Sequence, residues 1–228
     1  PRLHQTTRNI AKGSQIVHKS SAPYLLYLIR CNLHIYLKGR ASQLIIKERE
    51  IPLTILKLEA LLRRIPEQHH KRPEIEKDLA RRRAGLRGEE SLDYYLKELE
   101  DESYSIFHDI RLPLNNHYFQ IDTLLLSNHF ALIIEVKNIS GTLHFDHTFN
   151  QLIRTNADGK EEGFPDPFSQ VDQQSRHLQK WFQQQKLPII PVETLIIIAN
   201  PSTIIKTSHS THYQKLCQYK MADSLSVN

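Results

Sequence analysis

The hydrophobic pattern of the first half of the chain predicts three helices. Apolar residues recur at near-helical spacing from Leu53 to Ile65, and Pro66 ends that pattern. The charged stretch Lys71–Ala84 predicts a second helix that ends near Gly85. The sequence GLRGEESLDYYLKELED predicts a third helix directly after it. The apolar stripe of that helix consists of Leu92, Leu96 and Leu99.

Alternating hydrophobic residues then predict a β-rich centre. Strands are expected at 104–112, 118–126 and 131–138, and the last two are close enough in sequence to form an antiparallel hairpin. GTLHFD, QLIRT and VETLIIIAN are further strand candidates, and the last is apolar enough for a parallel or mixed sheet. An amphipathic pattern over 167–186 predicts another helix. The order of elements predicts an α/β fold, with a central mixed β-sheet flanked by helices and a helical N-terminal extension.

Four charged residues interrupt these apolar patterns. Glu135 and Lys137 share one face of the strand ALIIEVKN with apolar side chains, and Asp122 lies in the middle of YFQIDTLLL. Glu89 lies at the edge of the apolar stripe of the third helix. A solvated strand end, or a first-turn glutamate that complements the helix dipole, would account for some of these positions. A carboxylate that faces the core is otherwise costly unless a cation meets it.

A divalent metal ion gives these acids a common explanation. Asp122 and Glu135 lie on the two strands of the predicted hairpin and could converge on one Mg²⁺ or Mn²⁺. One or two carboxylates suit such an ion and leave room for water and phosphate oxygens. The ion would ease deprotonation of an attacking water and polarise a phosphoryl group. Lys137, on the same face as Glu135, could orient that water and stabilise the charge of the transition state.

The motifs GLRGEE, QID, IIEVKN followed by SG, and DPFSQ occur in this order and resemble the NERD domain, the nuclease-related domain. The resemblance covers about Gly85 to Pro201. It implies a restriction-endonuclease-like core, since that family resembles a branch of the PD-(D/E)xK nuclease superfamily. It also implies five catalytic-site residues, of which the first two bind the metal: Asp122, Glu135, Lys137, Glu89 and Gln170.

The same resemblance identifies two glycines and two departures. Gly85 and Gly88 match glycines that open the first helix of the family. Asp166 stands where an Asn before Pro is common, and Gln174 stands where some related nucleases carry Tyr. Both departures concern substrate contacts and leave the presumed metal ligands intact.

Charge and pattern divide the chain into four predicted segments. Residues 1–47 carry eight Lys and Arg and no Asp or Glu, so the whole net charge of +5 arises there. We expect this basic leader to be disordered or non-native; a transit peptide and a phosphate-binding arm are the alternatives. A helical extension is expected at 48–84, the NERD-like nuclease domain at 85–201 and a C-terminal tail at 202–228.

The remaining composition bears on the compartment. Cys31 and Cys217 are isolated and fit free thiols of a reducing compartment. No apolar run approaches the roughly 20 residues that cross a bilayer. We therefore expect a cytoplasmic protein without membrane contact.

Together these features predict a Mg²⁺- or Mn²⁺-dependent nuclease that hydrolyses phosphodiester bonds in DNA. One alternative is a non-catalytic module that binds DNA or a protein partner and retains the nuclease fold. Another is a structural interaction protein built on the helices before Gly85. The sequence does not indicate the oligomeric state.

Overall fold

The computed structural model describes residues 44–97, 104–207 and 216–218. The helices in these ranges are α1 (Leu53–Leu62), α2 (Arg72–Lys97) and α3 (Pro167–Gln184). The strands in these ranges are β1 (Leu44–Lys47), β2 (Ser105–Leu114), β3 (His117–Leu126), β4 (Ala131–Lys137), β5 (Thr142–Asp146), β6 (Gln151–Thr155), β7 (Glu161–Pro165), β8 (Val192–Ile198), β9 (Ile204–Thr207) and β10 (Leu216–Gln218). No helix in the described part of the chain is long and apolar enough to span a membrane.

Two mixed sheets organise the fold and confirm the predicted α/β class. The larger sheet has the order β1-β2-β3-β4-β8-β10, and the smaller has the order β7-β6-β5-β9. The predicted hairpin is confirmed, because β3 and β4 pair in antiparallel fashion with Thr123 opposite Ile134. The apolar strand β8 pairs in parallel with β4, as its composition indicated.

Helices cover both faces of the larger sheet. Ile133 and Ile134 point to opposite sides of β4. Ile133 packs with Leu178 and Trp181 of α3, whereas Ile134 packs with Leu96 of α2. The first turns of α3 also pack against the smaller sheet. The two helices therefore fix which side chains can reach the polar end of β4.

A single helix replaces the second and third helices that the sequence predicts. The expected break near Gly85 is wrong, because α2 runs without interruption from Arg72 to Lys97. A glycine costs a helix interior only about 1 kcal/mol, and packing on both sides of Gly85 outweighs this. Leu79 before it and Leu96 after it are both buried.

Gly88 has a different role from Gly85. A Cβ added at Gly88 would lie 2.5 Å from Cβ of Asn138, whereas a Cβ at Gly85 meets nothing within 4 Å. Asn138 follows β4 directly, and its Nδ2 donates a hydrogen bond to the carbonyl oxygen of Ala84 at 2.8 Å. The absence of a side chain at Gly88 thus lets α2 lie against the loop that follows β4, which brings Glu89 towards the sheet.

Both ends of the described chain contain strands that the sequence pattern did not indicate. Residues 44–47, the last four of the predicted leader, form β1 and pair in parallel with β2. The rest of that leader lies outside the described residues. The expected tail contributes β9, which pairs with β5, and β10, which pairs with β8. Pairing satisfies backbone groups of β5 and β8 that would otherwise lie at a sheet edge. The boundaries of the four predicted segments stay predictions.

The two glycines of α2 give a matched test of this packing. Gly88→Ala should lower the free energy of unfolding by about 1–3 kcal/mol, because its methyl group overlaps Asn138. Gly85→Ala should raise that free energy by up to about 1 kcal/mol, because alanine favours the helix and has free space there. Urea unfolding followed by circular dichroism measures both changes. Equal effects of the two substitutions would contradict the proposed contact.

Candidate active site

Glu135 and Lys137 lie at the polar end of β4 and face α3. Glu135 is buried, with 2% of its side chain exposed, and its Oε1 accepts a hydrogen bond from Nζ of Lys137 at 2.6 Å. The same ammonium donates to Oε1 of Gln170 on α3 at 3.1 Å. Two of its three N–H donors are thus engaged within the described residues, and the third can address a ligand. The structure brings these three predicted residues into direct contact.

Asp122 occupies the neighbouring position on β3. β3 and β4 pair Thr123 with Ile134. Continued by one residue, this register places Asp122 opposite Glu135. Burial raises the pKa of the Asp122 carboxyl to about 8, and the nearby charges of Glu135 and Glu89 add to this effect, while Lys137 opposes it. Asp122 is therefore an acid whose ionised form needs a further cation nearby.

The first turns of α3 carry two glutamines to this site. Asp166 caps the helix: its carboxylate accepts hydrogen bonds from the backbone N–H groups of Phe168 at 3.3 Å and Ser169 at 2.9 Å. A carboxylate cap complements the helix dipole, which gives a structural reason for Asp at this position. One helical turn after Gln170, Gln174 is buried, and its Nε2 lies 3.4 Å from Oε2 of Glu135.

Gln174 is therefore a site residue that sequence reasoning treated only as a departure. Its Nε2 also donates to the backbone carbonyl of Gln120 at 3.2 Å, which joins α3 to β3 beside Asp122. Its Oε1 is buried and makes no hydrogen bond to the described residues. The spacing of four residues from Gln170 was the available signal, because positions i and i+4 of a helix share one face.

Glu89 lies on α2, on the other side of the sheet from α3, and interacts electrostatically with Asp122 and Glu135. Burial raises the pKa of the Glu89 carboxyl to about 7, the Arg49 guanidinium opposes the increase, and Asp109 and Glu135 contribute to it. Oε2 of Glu89 accepts a hydrogen bond from Nη1 of Arg49 at 2.7 Å. Sequence reasoning missed Arg49, since the charged stretch KERE that contains it is typical of a solvated surface.

The carboxylates at this end of the sheet fit a hard divalent ion in their chemistry. Within the described residues, no group of three His, Cys, Asp or Glu side chains is arranged to hold a metal. Mg²⁺ needs only one or two carboxylates, because it keeps several waters. Both oxygens of Glu135 have protein donors, but a carboxylate offers about four lone-pair sites and retains capacity for a cation. Asp122 and Glu135 are thus the residues that would hold the ion.

The chain matches a known protein family. A mixed sheet lies between helices and carries Glu135 and Lys137 at the end of β4 and Asp122 on the adjacent strand β3, which defines an α/β domain with an acidic site. Residues 84–199, half of the chain, match the family model of the nuclease-related domain, NERD. The chain belongs to this family. No curated protein and no solved structure matched the chain. The matched range contains all five predicted site residues, whose individual roles stay predictions.

The raised pKa values of Asp122 and Glu89 predict how the metal-free protein responds to pH. The folded state holds the proton of each carboxyl more tightly than the unfolded state does. The resulting contribution to stability is complete at a pH below the ordinary pKa near 4, and it is lost as the pH rises through about 7 for Glu89 and about 8 for Asp122. With EDTA present, the melting temperature should therefore fall between pH 5 and pH 8. Asp122→Asn should make that decrease smaller.

The comparison between variants cancels every pH effect on stability that the variants share. Asp158→Asn, an exposed position in the turn before β7, should follow the wild-type profile and serves as the control. A pH profile that is identical in wild type and Asp122→Asn would show that Asp122 is not held in an unfavourable ionised form.

Proposed function

We propose that this protein is a metal-dependent nuclease that hydrolyses phosphodiester bonds in DNA. The observation that carries the proposal is the Lys137 ammonium, which lies between Glu135 and Gln170 and beside Asp122. Membership of the nuclease-related domain family supports the reaction class. DNA as the substrate and Mg²⁺ or Mn²⁺ as the ion are parts of the proposal.

Each residue has a separate task in this mechanism. Asp122 and Glu135 hold the ion, and when bound the ion supplies polarisation of the phosphoryl oxygens and easier deprotonation of water. Lys137 directs an N–H donor at the attacking water and at the negative charge that develops on phosphate. Gln170 holds the ammonium in place through its 3.1 Å contact.

Gln174 and Asp166 support these groups from α3. Gln174 fixes the Glu135 carboxylate from the side opposite to Lys137, since the two side chains contact different oxygens of Glu135. Asp166 stabilises the helix turn on which Gln170 stands. Lys137 and Glu135 are therefore fixed relative to each other, and a donor to the transition state needs such a fixed position.

Metal binding gives the first test. Millimolar Mg²⁺ or Mn²⁺ should raise the melting temperature, because an ion that binds the folded state stabilises it by mass action. The increase should be larger at pH 8 than at pH 6, since Asp122 has a pKa of about 8 and binds the ion in its ionised form. Asp122→Asn should reduce the shift, and Asp158→Asn should preserve it. No shift in the wild type would contradict the metal site.

Cleavage gives the second test. Wild type, Lys137→Ala, Lys137→Arg and Glu135→Gln are incubated with circular and linear DNA, with Mg²⁺ or with EDTA. Lys137→Ala should retain the metal-induced thermal shift and lose roughly 100-fold or more in turnover, as expected for a lost transition-state donor. Lys137→Arg should restore little, because the guanidinium is larger and forked. Glu135→Gln should lose both turnover and metal affinity.

Two outcomes contradict the mechanism in different ways. Undiminished cleavage by Lys137→Ala would exclude the catalytic role of the lysine. A wild type that binds DNA equally with Mg²⁺ and EDTA, and cleaves none of the substrates, would favour a binding module that retains the nuclease fold.

A further inference from the structure

Arg49 is the most extensively bonded side chain near the site, although it lies outside the range that matches the family. Only 5% of its side chain is exposed. Nε and Nη2 bind the two carboxylate oxygens of Asp93 at 2.9 and 3.0 Å, which is a bidentate pair. Nη1 then donates to Glu89 at 2.7 Å and to Asp109 at 3.3 Å. One guanidinium therefore connects three carboxylates.

The backbone around Arg49 is anchored to the large sheet. β1, which ends two residues before Arg49, pairs in parallel with β2. Nζ of Lys47 donates to the carbonyl oxygen of His108 in β2 at 2.8 Å. The next residue of β2, Asp109, has a φ of 50°, a conformation that non-glycine residues rarely adopt. This irregular position presents its carboxylate to Arg49.

The guanidinium has further contacts that fix its orientation. Nη2 lies 3.0 Å from Nδ1 of His108 and 3.0 Å from Oγ1 of Thr123. Because arginine can only donate, His108 accepts through Nδ1 in its neutral form. With Asp93 on one side and these two acceptors on the other, Nη1 can point only towards Glu89 and Asp109.

We propose that Arg49 is a positioning residue that holds the Glu89 carboxylate back from the pair Asp122 and Glu135. It thereby sets how many carboxylates the metal ion can use. The inference rests on the proposed function, since it concerns the same metal site. In the intact protein the Glu89 carboxylate is held by Arg49 at 2.7 Å, and without Arg49 it is free to bind the ion.

A double-mutant cycle on metal affinity tests this role. The dissociation constant for Mn²⁺ is measured by electron paramagnetic resonance for wild type, Arg49→Gln, Glu89→Gln and the double variant, each shown to be folded by circular dichroism. Glu89→Gln should weaken Mn²⁺ binding by less than about 3-fold in the wild-type background. It should weaken binding by at least about 10-fold in the Arg49→Gln background, where Glu89 has become a ligand.

Non-additivity separates positioning from simpler effects. If only the net charge mattered, removal of Glu89 would have the same effect in both backgrounds. General destabilisation would lower the melting temperature without making Mn²⁺ affinity depend on Glu89. The matched control is the ion pair between Arg83 and Glu59, 2.7 Å long and half-exposed, whose cycle should leave Mn²⁺ affinity unchanged throughout.

The outcomes distinguish this inference from the proposed function. If the wild type binds Mn²⁺ and the effects of the two substitutions are additive, the role of Arg49 is overturned and the proposed function is not. No Mn²⁺ binding by wild type would overturn the proposed function and this role with it. If Arg49→Gln does not fold, Arg49→Lys replaces it in the same cycle. One ammonium cannot satisfy three acids, so we expect a coupling of the same sign and smaller size. Absence of that coupling would overturn the role of Arg49.

Discussion

The burial of several carboxylates close together on the large sheet is the constraint on which the arrangement of this domain depends. The charges of Glu135 and Asp109 help to raise the pKa of both Glu89 and Asp122. Burial removes the water that would screen them, so each ionised form requires a cation or a hydrogen-bond donor. The protein supplies Arg49 on the α2 side and Lys137 on the α3 side. Asp122, beside Lys137, still has its pKa raised to about 8.

The layered fold brings hydrogen-bonding partners to these carboxylates from both faces of the large sheet. α3 is placed by its apolar face and oriented by the Asp166 cap, so two glutamines one turn apart reach the Glu135–Lys137 pair. α2 approaches the loop after β4 because Gly88 has no side chain. Packing of the core and compensation of charge therefore impose the same positions on the two helices, and neither can shift without exposing acids to each other.

The sequence predicted the candidate site residues that interrupt an apolar pattern, and it missed a residue that lies within a run of charges. Asp122 and Glu135 are recognisable because a carboxylate in an apolar strand needs an explanation. Arg49 lies in a run of charges, where one more arginine carries no information about burial. The β7 sequence EEGFP has no alternation, and its pairing with β6 depends on contacts made in the folded state. Gly85 suggested a helix end because local propensity does not include the packing that keeps α2 continuous.

The charge balance also bears on the proposal that Glu135 serves both Lys137 and a metal ion. Lys137 binds one oxygen of Glu135 and Gln174 approaches the other, so the carboxylate is oriented before any ion arrives. In the proposed mechanism, an ion bound by Asp122 and Glu135 would compensate the acid whose pKa stays raised beside Lys137 alone. With the ion bound, the ammonium would be needed less as a counter-ion and would be available for negative charge that develops on a substrate. The fixed orientation of the Glu135 carboxylate and the availability of the Lys137 ammonium would thus follow from one electrostatic requirement.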